Sequence, residues 1–147
     1  AQSRRPRPWR IFTDAMKTRD TVERAQAAIV EAGLGGREAR KAGLLSHGEQ
    51  RQLEIAMVLA TDARVLLLDE PLAGMGSEES AQMVELLRKL KQNRAILLVE
   101  HDMDAVFAVA DTITVMVEGS VLESGPPAQI RNSADVQAAY LGEDEHG

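Results

Sequence analysis

Cysteine is absent from the 147 residues. That excludes a disulfide framework and any thiolate-held metal, and it is compatible with the cytosol. Aromatic side chains are scarce, with one Trp, one Tyr and two Phe, so the core must be aliphatic. No apolar run approaches the roughly 20 residues that cross a bilayer. Basic charge is in deficit: the formal net charge is -6. A general nucleic-acid binder carries a basic surface instead, so no nucleic-acid partner is expected. The start, 1–10, has arginines but no apolar h-region, so it is not a secretory signal. It also has no initiator Met, and the chain is expected to be cut from something longer. What is present, 44% apolar residues over this length, suffices for one domain with a real core.

The chain is organised around Val65-Leu66-Leu67-Leu68-Asp69-Glu70-Pro71. Four aliphatic residues in a row leave no polar face, so a strand here is expected to be central, parallel and buried on both sides. Pro71 ends it by removing a ladder donor. In open α/β sheets ligands gather at the carboxyl ends of strands, where Asp69 and Glu70 would be delivered side by side. Backbone alternation points them in different directions, so one can hold a metal while the other handles a water.

Upstream, residues 1–19 hold Arg4, Arg5, Arg7, Arg10, Lys17 and Arg19. They read as a solvated surface loop in preference to an arm for phosphates or acidic lipid. Asp20 and Glu23 have the spacing of a capping box. Val22, Ala25, Ile29 and Ala32 would form the buried stripe of the helix, and Gly33, Gly35 and Gly36 would stop it. Leu45-Ser46-His47-Gly48-Glu49-Gln50 then precedes a helix with Leu53, Ala56, Met57 and Ala60 on one face. Ser and Gly at a helix N-terminus can hold an anion through free N–H groups and a hydroxyl. Taken alone, Ser46 reads as an ordinary N-cap and His47 as a solvated side chain.

Beyond the central strand, Leu72 to Gly76 is a loop, and Ser77 should cap a helix with Glu78 and Glu79 in its first turn, favoured there by the dipole. Met83, Leu86, Leu87 and Leu90 are its buried stripe, and Glu85 and Lys89 an i,i+4 pair. Ala95 to Val99 is a second non-alternating strand, ending in Glu100-His101-Asp102. A helix follows from about Met103 to Ala110. From Thr112 the period becomes 2, with a turn at Glu118-Gly119-Ser120, which reads as a hairpin. Pro126 and Pro127 open a short helix, Ser133 caps another that ends near Leu141, and an acidic tail closes the chain.

Ser46-x-Gly48-x-Gln50, then Asp69-Glu70, then His101 stand in one order, 23 residues from Ser46 to Asp69 and 31 from Glu70 to His101. This ordered set resembles the C-terminal part of an ABC transporter ATP-binding subunit. Leu45 to Gln50 resembles the signature motif, with His47 where Gly is commoner. Leu66 to Pro71 resembles the Walker B strand with its glutamate. Leu72 to Gly76 resembles the D-loop, with Gly76 where many members carry Asp, and His101 resembles the switch histidine. Val99 to Met103, Gly125 to Asn132 and Tyr140 to Glu143 look like the branched-chain amino acid importer subfamily, which also serves related amides. Lipopolysaccharide-export ATPases are the nearest rival within the family.

The resemblance implies an α/β fold, the C-terminal portion of a P-loop NTPase-like ABC ATPase domain. Parallel strands with helices would be followed by a β-hairpin and short helices. Residues 1–61 would be a partial helical subdomain with the signature motif and its helix, 62–142 the C-terminal part of the ATPase core, and 143–147 an acidic tail. No Gly-x-x-x-x-Gly-Lys-Ser/Thr occurs in the sequence, so the phosphate-loop half is expected to be missing and the chain alone to be inactive. Roughly another hundred residues would precede Ala1 in a domain of ordinary size.

By resemblance, two copies sandwich two ATP molecules. Asp69 holds Mg²⁺ through water, and Glu70 and His101 are catalytic. Ser46, Gly48 and Gln50 bind the ATP of the partner subunit. The implied cofactors are ATP and Mg²⁺. The implied partners are a second ATP-binding subunit and membrane permease subunits, with the protein peripheral on the inner face of the cell membrane. Two rival classes are a soluble ABC-type ATPase of translation or DNA repair, for which neither a second cassette nor a long coiled coil is visible, and a truncated, non-enzymatic interaction module.

Overall fold

A computed structural model describes residues 19–143. The arginine-rich start, residues 1–18, and residues 144–147 of the expected acidic tail lie outside the described residues. The chain divides into two compact units, one up to Glu100 and one from His101.

The first unit opens with α1 (Arg19–Glu31). Asp20 does not cap it. It lies inside the helix and pairs with Arg24 at 3.2 Å, while Glu23 pairs with Arg19 at 2.8 Å, because opposite charges four apart face each other on an exposed helix surface. The buried stripe runs through Ala28 and Ala32. Val22 and Ile29 are half-buried and Ala25 is exposed. The helix ends in a Schellman motif: Gly33 takes φ +87, its N–H donates to Val30 O at 3.0 Å, and Leu34 N–H donates to Ile29 O at 2.9 Å. Only glycine takes that backbone cheaply, and Leu34 is buried as the motif's apolar plug. Arg94, just before the second strand, grips Glu31 at 2.6 and 3.2 Å.

A 3-10 turn at Ala42–Leu44 leads to α2 (His47–Leu59). Its buried face is Ile55, Ala56 and Leu59. Met57, expected inside, is exposed, so the stripe is rotated from the expected one. Strand β1 (Val65–Asp69) pairs in parallel with β2 (Ala95–Val99), register Val65↔Ala95 through Asp69↔Val99. Between them runs α3 (Ser77–Leu90), with Met83, Leu86, Leu87 and Leu90 all buried as expected. Gly76, not Ser77, is its N-cap residue, and Glu85 pairs with Arg88 at 2.7 Å rather than with Lys89.

Burial of the sheet on both faces is not what the described residues show. Leu66 is 1% exposed, whereas Val65, Leu67, Leu97 and Val99, all at the alternate positions, are 59%, 73%, 62% and 55% exposed. Side chains alternate across a strand, and only one face of this two-stranded sheet is covered.

The second unit contains α4 (Met103–Val109), β3 (Ile113–Val117), β4 (Ser120–Gly125), α5 (Pro127–Arg131) and α6 (Ala134–Glu143). The hairpin is antiparallel with a register shift between Val115 and Met116. Glu118 and Gly119 both have positive φ, +49 and +78, the type I′ turn whose twist suits two-residue hairpins. Ile113, Ile130 and Val136 form its core, with Val106, Phe107, Ala110 and Val115 packed around them. Ser133 receives the Val136 N–H at 3.4 Å, in keeping with its expected capping role.

Candidate functional site

Asp69 ends β1, and Glu70 follows with φ +43. For a non-glycine residue this is the sparsely populated left-handed region. The turn is over-determined: Glu70 N–H donates to Val99 O at 2.9 Å, Ala73 N–H to Glu70 O at 3.1 Å and Met75 N–H to Leu72 O at 3.1 Å. Glu100 adds a brace from the end of β2, its Oε1 accepting the Leu72 N–H at 2.8 Å. Pro71 and Leu72 are buried beneath, while Asp69 and Glu70 are exposed. The two carboxylates therefore stand on a rigid base and face outward, where strain of this kind clusters at functional sites.

Ser46 is the N-cap of α2 and completes a capping box with Glu49. The Glu49 N–H donates to Ser46 Oγ at 3.2 Å, and Ser46 N–H to Glu49 Oε2 at 3.0 Å. Arg37 holds Glu49 at 2.9 Å. The helix start is also fastened to the segment that follows Glu70. His47 Nε2 lies 3.0 Å from Ala73 O. A carbonyl only accepts, so that ring nitrogen carries the proton. Ser46 Oγ donates to Glu79 Oε1 at 2.8 Å, and Gly48 N–H to the same oxygen at 3.3 Å. A Cβ on Gly48 would fall 2.9 Å from Glu79 Cδ, so a glycine is what admits the carboxylate. Hydrogen bonding from Ser46 holds the Glu79 carboxyl below its ordinary range. Partial burial opposes this, and the Gly48 and Gly76 N–H groups and His47 reinforce it. Gln50 turns its amide back to donate to Leu45 O at 3.1 Å.

The first unit thus carries Ser46, Gly48, Gln50, Asp69 and Glu70, and ties the Ser46 helix start to the turn after Glu70. His101 opens the second unit, exposed, followed by Asp102, which caps α4 by accepting the Ala105 N–H at 3.1 Å. Three contributors were missed from sequence: His47 read as solvated, Glu79 as a dipole partner of its own helix, and Glu100 without a role. Each acts through a partner 26 to 31 residues away, or 33 in the Ser46–Glu79 bond, which no local pattern exposes.

Among the described residues no group of three or more His, Asp or Glu could hold a metal ion. A single carboxylate such as Asp69 suits Mg²⁺, which keeps its waters and takes its remaining ligands from phosphates. The donors at Ser46 and Gly48 already hold a carboxylate, so their chemistry fits an anion.

Comparison with known proteins gives a consistent result. The family profile described as ABC transporter matches residues 2–73, and that described as branched-chain amino acid ATP-binding cassette transporter matches residues 120–146. The chain is 42% identical over 142 residues to the high-affinity branched-chain amino acid transport ATP-binding protein LivG of Escherichia coli K12, covering 90% of this chain and 56% of that protein. It is 42% identical over 127 residues to the corresponding protein BraF of Pseudomonas aeruginosa, covering 85% and 50%. An ATP-binding cassette of an ABC transporter, solved in its ADP conformation, superposes with TM-score 0.76 at 27% identity over 86% of this chain and 52% of that one. A component of a Clostridium perfringens ABC transporter complex, cbiO1, gives 0.70 at 28% identity over 85% and 52%. The chain spans about half the length of the curated relatives it matches.

Proposed function

Because this chain belongs to the ATP-binding subunits of ABC transporters, we propose that it serves ATP hydrolysis coupled to the uptake of branched-chain amino acids or related amides. The observation that carries this is the Asp69–Glu70 pair, set on a braced left-handed turn at the carboxyl end of β1. The branched-chain assignment is supported by the LivG and BraF likeness and by the profile match at 120–146. In this reading residues 1–61 belong to the helical subdomain, 62–142 to the ATPase core and 143–147 to a tail.

ATP bound with Mg²⁺ supplies the scissile γ-phosphate and the charge that neutralises it. Asp69 would hold the Mg²⁺, whose charge would offset that of the phosphates. Glu70 orients and polarises the attacking water, general-base help worth about 10²–10⁴ in rate. His101 contacts the γ-phosphate and steadies charge as it develops. Ser46 Oγ and Gly48 N–H hold the γ-phosphate of the ATP carried by a second subunit, at the positive end of α2. Gln50 shapes that helix start through Leu45. Membrane permease subunits dock on the helical part, which places the protein on the inner face of the cell membrane. No helix among the described residues is long and apolar enough to cross a membrane.

The test is ATP turnover by this chain joined to the phosphate-loop half of a branched-chain relative. Glu70→Gln should lower turnover by about 10²–10⁴ while ATP stays bound. Equal turnover by the two folded chimeras would sink the assignment of Glu70. The 147-residue chain alone, without a phosphate-loop lysine, should show no Mg-ATP binding by calorimetry.

A further inference from the structure

We propose that the Glu79 carboxylate is a built-in latch that closes the Ser46–Gly48 helix start to phosphate, so that a phosphate group binds there only by displacing it. This rests on the reading of Ser46 and Gly48 as a γ-phosphate site. A single Glu79 oxygen accepts from both Ser46 Oγ, at 2.8 Å, and Gly48 N–H, at 3.3 Å. These are the same two donors that the phosphate would need. Two anions cannot share them, because like charges this close repel strongly.

The contact is shaped to receive a carboxylate. Gly48 has no Cβ, and one would meet Glu79 at 2.9 Å. The cleft beside it is lined by Ser46, Gly48, Glu49, Gln52, Gln82 and Met83, so no lysine or arginine among its lining residues neutralises the Glu79 charge. His47 comes from the same helix start and is bound to Ala73. It fastens the start of α2 to the loop that leads into α3 and lies close enough to favour the ionised carboxylate.

Glu79 also has an ordinary duty, since it takes the N–H of Gly76 at the start of α3. Either Glu or Gln serves at that third helical position. Glu79→Gln therefore keeps the cap and the shape and removes only the charge. In the latch the carboxylate swings from Ser46 and Gly48 while its own helix start remains capped. The signature helix would then be held against α3 in the absence of nucleotide, and would be released as phosphate arrives.

Two measurements on the full 147-residue chain test this. The first is amide hydrogen exchange at Gly48, which should be about fivefold faster in Glu79→Ala than in the wild type, the effect of losing one ordinary hydrogen bond. The second is titration with inorganic phosphate, followed at the Gly48 amide by NMR. Glu79→Gln should bind at least about fivefold more tightly than the wild type, the effect of removing one like charge about 4 Å away even in a water-like dielectric. Unchanged exchange in Glu79→Ala overturns the latch while leaving the phosphate site standing. Phosphate binding that is equal in the wild type and Glu79→Gln overturns the competition. Exchange that changes while no chain binds phosphate at Gly48 takes down the phosphate-site reading and the latch's purpose with it.

Discussion

At the scale of single residues, the site depends on what Gly48 leaves empty. Its missing side chain is the space that Glu79 fills. A Gly48→Ala change should leave α2 helical, since Ala favours a helix over Gly by about 1 kcal/mol. It should expel Glu79, and the Glu79 carboxyl should then titrate nearer the ordinary value of about 4.3. Carboxyl carbon shifts followed by NMR through the acid range would show it; an unmoved Glu79 titration would mean that Ser46, not the Gly48 approach, sets the contact alone. Glu70 is the other residue whose backbone matters. Its positive φ is held by hydrogen bonds on both sides, so the turn fixes the direction in which its side chain leaves the backbone.

Among the elements, the hairpin of the second unit rests on a polar strut. Glu123 on β4 takes hydrogen bonds from Ser133, the larger effect, and from Gln129 at 2.9 Å, and its carboxyl is held below the ordinary range. A carboxylate whose folded pKa is depressed stabilises the fold above the unfolded value of about 4.3, and that contribution is lost as pH falls through the folded value. Unfolding of the second unit, followed by hairpin NMR signals in urea, should therefore need less denaturant at pH 3 than at pH 6. Glu123→Gln should shrink that difference. A variant with the same pH dependence as the wild type would show that other carboxylates set it. Glu123, Gln129 and Ser133 are separated by a turn and a helix, so the strut comes from how α5 folds back, not from any stretch that reads as a motif.

For the whole molecule, the exposed apolar face of the β1–β2 sheet is the dominant feature. Val65, Leu67, Leu97 and Val99 lie together on it, and among the described residues β2 pairs only with β1. An uncovered apolar face beside an open edge promotes association between chains. The 147-residue chain should self-associate as concentration rises, and Leu67→Lys with Leu97→Lys should reduce that association without unfolding the unit, because both side chains point away from its core. Sedimentation velocity across a concentration series distinguishes the outcomes; a wild type that stays monomeric at high concentration would show that the face is covered in solution.

The order of helices and strands, the parallel pairing, the hairpin turn and the α3 stripe were legible from period and turn chemistry, because those features depend on residues a few positions apart. The family was legible because three short motifs keep their order and spacing. Asp20 misled because it lies inside α1, paired with Arg24, and Ser77 because Gly76 takes the N-cap position of α3. The faces of α1 and α2 were read only in part, right at Ala32 and Ala56 and wrong at Ala25 and Met57, because a period of 3.6 fixes the width of an apolar stripe but not which neighbour it meets. Likewise, a run of four aliphatic residues marks a strand suited to cover on both sides, yet only packing shows which side is covered. The sequence by itself determined the elements, the motif order and the chemistry at the strand ends. Only the tertiary structure decided that Glu79, Glu100 and His47 reach across to the other elements, because those bonds join residues brought together by the fold of the chain.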